Sequence, residues 1–77
     1  TIPMDLFIEN LQRIHDCMDT FDLDGADAAI RVIDGYRIPD EYNEATKRLR
    51  NMVTDVAMED AMELTLKLIA KIESDRR

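Results

Sequence analysis

The chain has 77 residues, 45% apolar and 35% charged, with a formal net charge of -7. That length makes one small domain, near the size at which a single core is only just stable, and the acidic balance excludes nucleic acid as an expected partner, because such binding depends on Lys and Arg neutralising phosphates. No apolar run approaches the roughly 18 residues of a membrane span and no secretory leader opens the chain; with Cys17 as its lone cysteine, a soluble protein of the reducing cytoplasm is expected.

From Met4 onward the apolar residues fall at positions 4, 7, 11, 14, 18 and 21, an alternation of threes and fours that predicts a helix over residues 3–20 packing at a shallow angle. Pro3 suits its first turn, where the missing N–H has no intrahelical use. The stripe breaks at Phe21-Asp22, and Asp22 is placed to cap a second helix over residues 23–35 by accepting from the N–H of Asp24 or Gly25. Leu23, Ala26, Ile30 and Ile33 line its inner side, and Gly35 stands where helices commonly end in a left-handed residue. Tyr36-Arg37-Ile38-Pro39 forms a joint, since Pro39 disfavours helical geometry in Ile38. A third helix over residues 40–55 carries Tyr42, Ala45, Leu49, Met52 and Val56 inward, and a fourth over residues 58–73 carries Ala61, Leu64, Thr65, Leu68 and Ile72.

The chain nearly repeats at a spacing of 35 residues. Phe21-Asp22-Leu23-Asp24-Gly25-Ala26 returns as Val56-Ala57-Met58-Glu59-Asp60-Ala61 under one rule: apolar, any, apolar, acidic, any, Ala. Two helical hairpins are implied, each unable to bury its apolar face alone. The expected architecture is all-α, an antiparallel four-helix bundle forming one domain over residues 1–77, and Thr1 in the place of an initiating Met reads as the cut end of a longer multidomain chain. A tetratricopeptide-like adaptor is the alternative, matched in period but lacking the bulky aromatic, Leu-Gly and Tyr signals of that motif's first helix. Ala57, opposite Asp22 in the repeat, cannot cap, so Asp55 is expected to cap the fourth helix instead.

Charge is unevenly spread. Residues 1–30 carry Asp5, Glu9, Asp16, Asp19, Asp22, Asp24 and Asp27 against Arg13, whereas residues 37–50 carry Arg37, Lys47, Arg48 and Arg50 against Asp40, Glu41 and Glu44. The basic stretch reads as a solvated helix face with Glu44 and Arg48 paired at i,i+4. The aspartates of the first turn resemble part of a calcium loop, but with Gly25 as the loop glycine Thr20 falls on the first ligand position and Arg31 where a bidentate Glu is required; no metal or cofactor is expected. His15 is the only histidine and Ser74 the only serine, leaving no material for a catalytic triad. Enzymatic activity is not expected.

The succession Phe-Asp-x-Asp-Gly-Ala, an apolar helix, a joint containing Ile-Pro, and a second helix pair with acidic-x-Ala resembles the small helical modules at the carboxyl end of bacterial hybrid sensor kinases and receiver-containing regulators. The resemblance spans about Leu11 to Ile72. It implies a histidine-phosphotransfer-like bundle whose partner is a receiver or kinase domain in the same chain. An active domain of that family is similar in carrying its histidine mid-helix, with Lys three residues on and Gly four on. Here Met18 and Asp19 occupy those positions after His15. His15 is thus the sole candidate phosphoacceptor but not a favoured one: charge and access are both lost, and Asp16 and Asp19 repel an incoming aspartyl phosphate. The expectation is a non-catalytic accessory or docking module, with His15 a partly exposed residue paired to Asp19. Its surface would be either the acidic first hairpin or an edge formed by Met4, Tyr36 and Tyr42.

Overall fold

The apolar residues recurring at threes and fours become four helices in the computed structural model, which describes residues 1–77: α1 (Met4–Asp19), α2 (Leu23–Asp34), α3 (Asp40–Thr54) and α4 (Met58–Asp75). At 1.5 Å per residue α4 is about 27 Å long. The longest dimension of the molecule is 32 Å, so the helices lie along it. α1 packs most extensively on α4 and nearly as much on α2; α3 packs on α4, and α2 and α3 touch least among these neighbouring pairs. A solenoid of two stacked hairpins would hold its first and last helices apart. Here their contact closes a four-helix bundle.

Polar ties fix one end. The Ile2 N–H donates to the Arg37 carbonyl at 2.9 Å, Arg76 pairs with Asp5 at 2.8 Å, and the Tyr42 hydroxyl donates to Asp75 at 2.6 Å. These gather both chain ends and the α2–α3 joint, leaving the two short hairpin turns at the other end. Between the ends Phe7, Leu11, Ile14 and Met18 of α1 meet Ile30 and Ile33 of α2, Leu49 of α3 and Leu68 and Ile72 of α4 in a single buried core. The rule of the repeat now has a cause at each position. Ala26 and Ala61 are fully buried, where a small side chain lets helices approach closely; Asp24 and Glu59 lie in the first turns of α2 and α4, favoured by the positive helix end.

The first position of the rule departs from expectation. Phe21 and Val56 do not continue the inner stripes of α1 and α3; they adopt left-handed backbone, with φ of 60° and 56°, and are 62% and 41% exposed. Each closes a helix by the same hydrogen bonds. The Phe21 N–H donates to Met18 and the Asp22 N–H to Cys17, while the Val56 N–H donates to Val53 and the Ala57 N–H to Met52, the Schellman pattern usually built on glycine. Gly35 in turn is not left-handed, ending α2 at φ -72° in ordinary helical geometry. Asp55 caps nothing and closes α3 instead, so α4 begins at Ala57 without a side-chain cap. Asp22 caps α2 as expected, accepting from the Gly25 N–H at 2.9 Å.

Tyr42 is buried at the tied end, its ring tilted 60° to that of Phe7 with centroids 6.1 Å apart, and its hydrogen bond to Asp75 holds the neutral phenol so that its pKa is pushed up to about 12.

Two outcomes follow from these contacts. Left-handed backbone costs a non-glycine residue about 1–2 kcal/mol, and glycine returns part of that gain as unfolded-state entropy. Phe21→Gly and Val56→Gly are therefore each expected to raise stability by about 1 kcal/mol, measured by urea unfolding; a loss would mean that these side chains hold the fold together. The phenol of Tyr42, raised in the folded state, stabilises the bundle fully below its ordinary value of about 10 and loses that contribution as pH climbs towards 12. In a Tyr36→Phe background, phenolate absorbance should titrate with a midpoint near 12, melting temperature should fall over the same interval, and Asp75→Asn should bring the midpoint down.

Candidate functional site

His15 lies in the C-terminal half of α1, its side chain one-fifth exposed. It does not reach Asp19. Its Nδ1 stands 3.1 Å from Oδ1 of Asp16, which also accepts from Gln12 at 3.2 Å, and the hydrogen bonds from His15 and then Gln12 hold the Asp16 carboxyl below the usual range. Met18, three residues after His15, is 1% exposed within the core. An ammonium at that position would point inward, away from any phosphate on the ring. Asp19 is exposed at the last turn of α1, where the helix presents its negative end and carries no basic residue, so both side chains and dipole oppose an anion.

The aspartates of the first hairpin serve separate duties. Asp22 caps α2, Asp27 pairs with Arg31 at 3.0 Å, and Asp19 and Asp24 face solvent; no three metal-ligating side chains converge. Gly25 sits beneath them for a steric reason. A Cβ there would lie 2.5 Å from Oδ2 of Asp22 and 2.7 Å from Sγ of Cys17, both closer than real atoms approach. Cys17 is buried, and that burial, followed by the charge of Asp22, pushes its thiol up, away from the thiolate a nucleophile or metal ligand requires.

Charged side chains line both surface depressions. One, of about 350 Å³, lies between α3 and α4 and includes Arg48, Asp60, Glu63 and Lys67, but Glu63 and Lys67 satisfy each other at 2.8 Å. The other, about 390 Å³, surrounds the Asp5–Arg76 pair. The basic face of α3 is partly spent on structure: Arg50 reaches across to Asp34 of α2, and Glu44 with Arg48 forms no ion pair. The expected edge of Met4, Tyr36 and Tyr42 does not exist as a surface, because Tyr42 is 3% exposed and Met4 packs against the core. Tyr36 alone stays in solvent.

The feature that the stripe pattern hid is the pair Phe21 and Val56. Both look like the last apolar residue of a helix; the only signal of their true state was that each stands two residues ahead of the next helix in a turn without glycine. No helix is long and apolar enough to cross a membrane. Compared with known proteins, the chain matches no family model, no curated protein and no solved structure.

Proposed function

We propose that this bundle is a non-catalytic docking module, an accessory domain of a bacterial two-component signalling protein that engages a receiver or kinase domain, in the same chain, through surface contact. The signalling context comes from the resemblance of its turn and joint motifs. The observation that carries the non-catalytic part is the setting of His15: Met18 buried where a phosphate-steadying Lys would stand, and Asp16 on the imidazole itself. A phosphoryl group arriving as a dianion would meet Asp16, Asp19 and the negative end of α1 with no cation in that helix turn to offset them. Weak, polar contacts between domains are the usual form of such interfaces. A helical-repeat adaptor is less well supported, because α1 and α4 pack on each other more extensively than any other pair, whereas two stacked hairpins of a solenoid hold their first and last helices apart.

The test is incubation with a receiver domain carrying a radiolabelled aspartyl phosphate. The label is expected to stay on the receiver, or leave as inorganic phosphate, with the wild-type bundle indistinguishable from His15→Gln. Transfer to the bundle that disappears in His15→Gln would instead establish an active phosphotransfer domain using His15.

A further inference from the structure

The two hairpin turns bring the same feature to the same end of the molecule. From the Asp5–Arg76 pair, α1 runs about 21 Å to Asp19 and α4 about 27 Å back to Met58 at 1.5 Å per residue. Because these two helices pack along each other, both turns share the end opposite the chain termini. There Phe21 is 62% exposed and Val56 41%, and both hold the left-handed backbone that glycine adopts freely and a β-branched or aromatic residue does not. Around them acidic side chains predominate. Asp16, Asp19, Asp22 and Asp24 surround the first turn and Asp55, Glu59 and Asp60 the second, all seven exposed, with no Lys or Arg within residues 16–27 or 54–60; beside them Asp27 is already paired with Arg31, and Arg48 lines a depression with Asp60.

We infer that this turn end is a docking surface for a basic amphipathic segment of a partner protein, with Phe21 and Val56 as its apolar contacts and the surrounding carboxylates pairing the segment's Lys and Arg. Charge complementarity selects that occupant. A second copy of this chain would set seven carboxylates against seven, and like-charge juxtaposition suppresses such a pair; a neutral apolar segment would leave the carboxylates desolvated and unpaired. Exposed apolar side chains with charged ones beside them are also the make-up of interfaces that a few side chains dominate. The inference rests on the docking proposal and deepens it by naming a surface and a partner chemistry.

The probe is a synthetic lysine–leucine amphipathic peptide, compared with a glutamate–leucine peptide of the same pattern and with oligolysine, titrated into the isotope-labelled 77-residue chain while backbone amide shifts are followed. Shifts should concentrate in residues 19–24 and 55–60, and the lysine–leucine peptide should bind about tenfold more tightly than oligolysine. Phe21→Gly and Val56→Gly should each weaken binding about tenfold while melting at or above the wild-type temperature, which separates lost contact from lost fold. Shifts spread over the whole surface, unchanged affinity in the glycine variants, equal binding of the glutamate–leucine peptide, or concentration-dependent dimerisation through this end would each overturn the inference. Phosphoryl transfer to His15 would overturn the docking proposal without moving these shifts, so the two fail separately.

Discussion

At each hairpin a backbone N–H, of Asp22 or of Ala57, donates to a carbonyl five residues back, Cys17 at 2.7 Å or Met52 at 2.8 Å, and closing that ring drives the residue before it into left-handed backbone. Everything else in the bundle is built on those two reversals. They leave only three residues between successive helices, too few for any course but a direct return, so α2 lies antiparallel on α1 and α4 on α3. They also set the rotation of the returning helix, which turns Ala26 and Ala61 fully into the core. The local cost of placing Phe21 and Val56 in that geometry is offset by the packing that it makes possible.

Two hairpins alone would still be incomplete, because each has an apolar side left over. The contact of α1 with α4 completes the core, and the ties at the opposite end hold it in register: Tyr42 to Asp75 links residues 33 apart, and Lys71 lies 5.6 Å from the Tyr42 ring centre. Polar side chains that fall inside are satisfied within their own helices, Asn10 by the Leu6 carbonyl, Thr46 by that of Tyr42 and Thr65 by that of Met62. A core this small tolerates few unpaired polar groups.

The same arrangement bears on function through charge. Closing the core requires Met18 to face inward, which removes the position three residues after His15 as a place from which a cation could steady phosphate. The two reversals meanwhile bring carboxylates of distant sequence to one end, and a surface of that sign attracts cations and repels phosphoryl groups. The docking proposal and the absence of a phosphate-friendly setting at His15 thus share one origin in how the hairpins are closed.

Much of the fold was legible in the sequence. The spacing of Phe7, Leu11, Ile14 and Met18 states a helix, Asp22 states its own cap, and the 35-residue repeat states two hairpins, because periodicity, capping and turn chemistry act over a few residues and need nothing distant. What acts across the chain was not legible. The closure of α1 on α4, the burial of Tyr42 against Asp75 and the diversion of Arg50 to Asp34 depend on which helices become neighbours, and a single helix stripe does not say which face meets which partner. Phe21 and Val56 lie between the two cases: the sequence by itself determined that an apolar residue stands before each returning helix, but only the tertiary structure decided that it points into solvent. The reason is that the hydrogen bonds closing α1 and α3 put Phe21 and Val56 in left-handed backbone, outside the periodicity that turns the helix residues before them to the core.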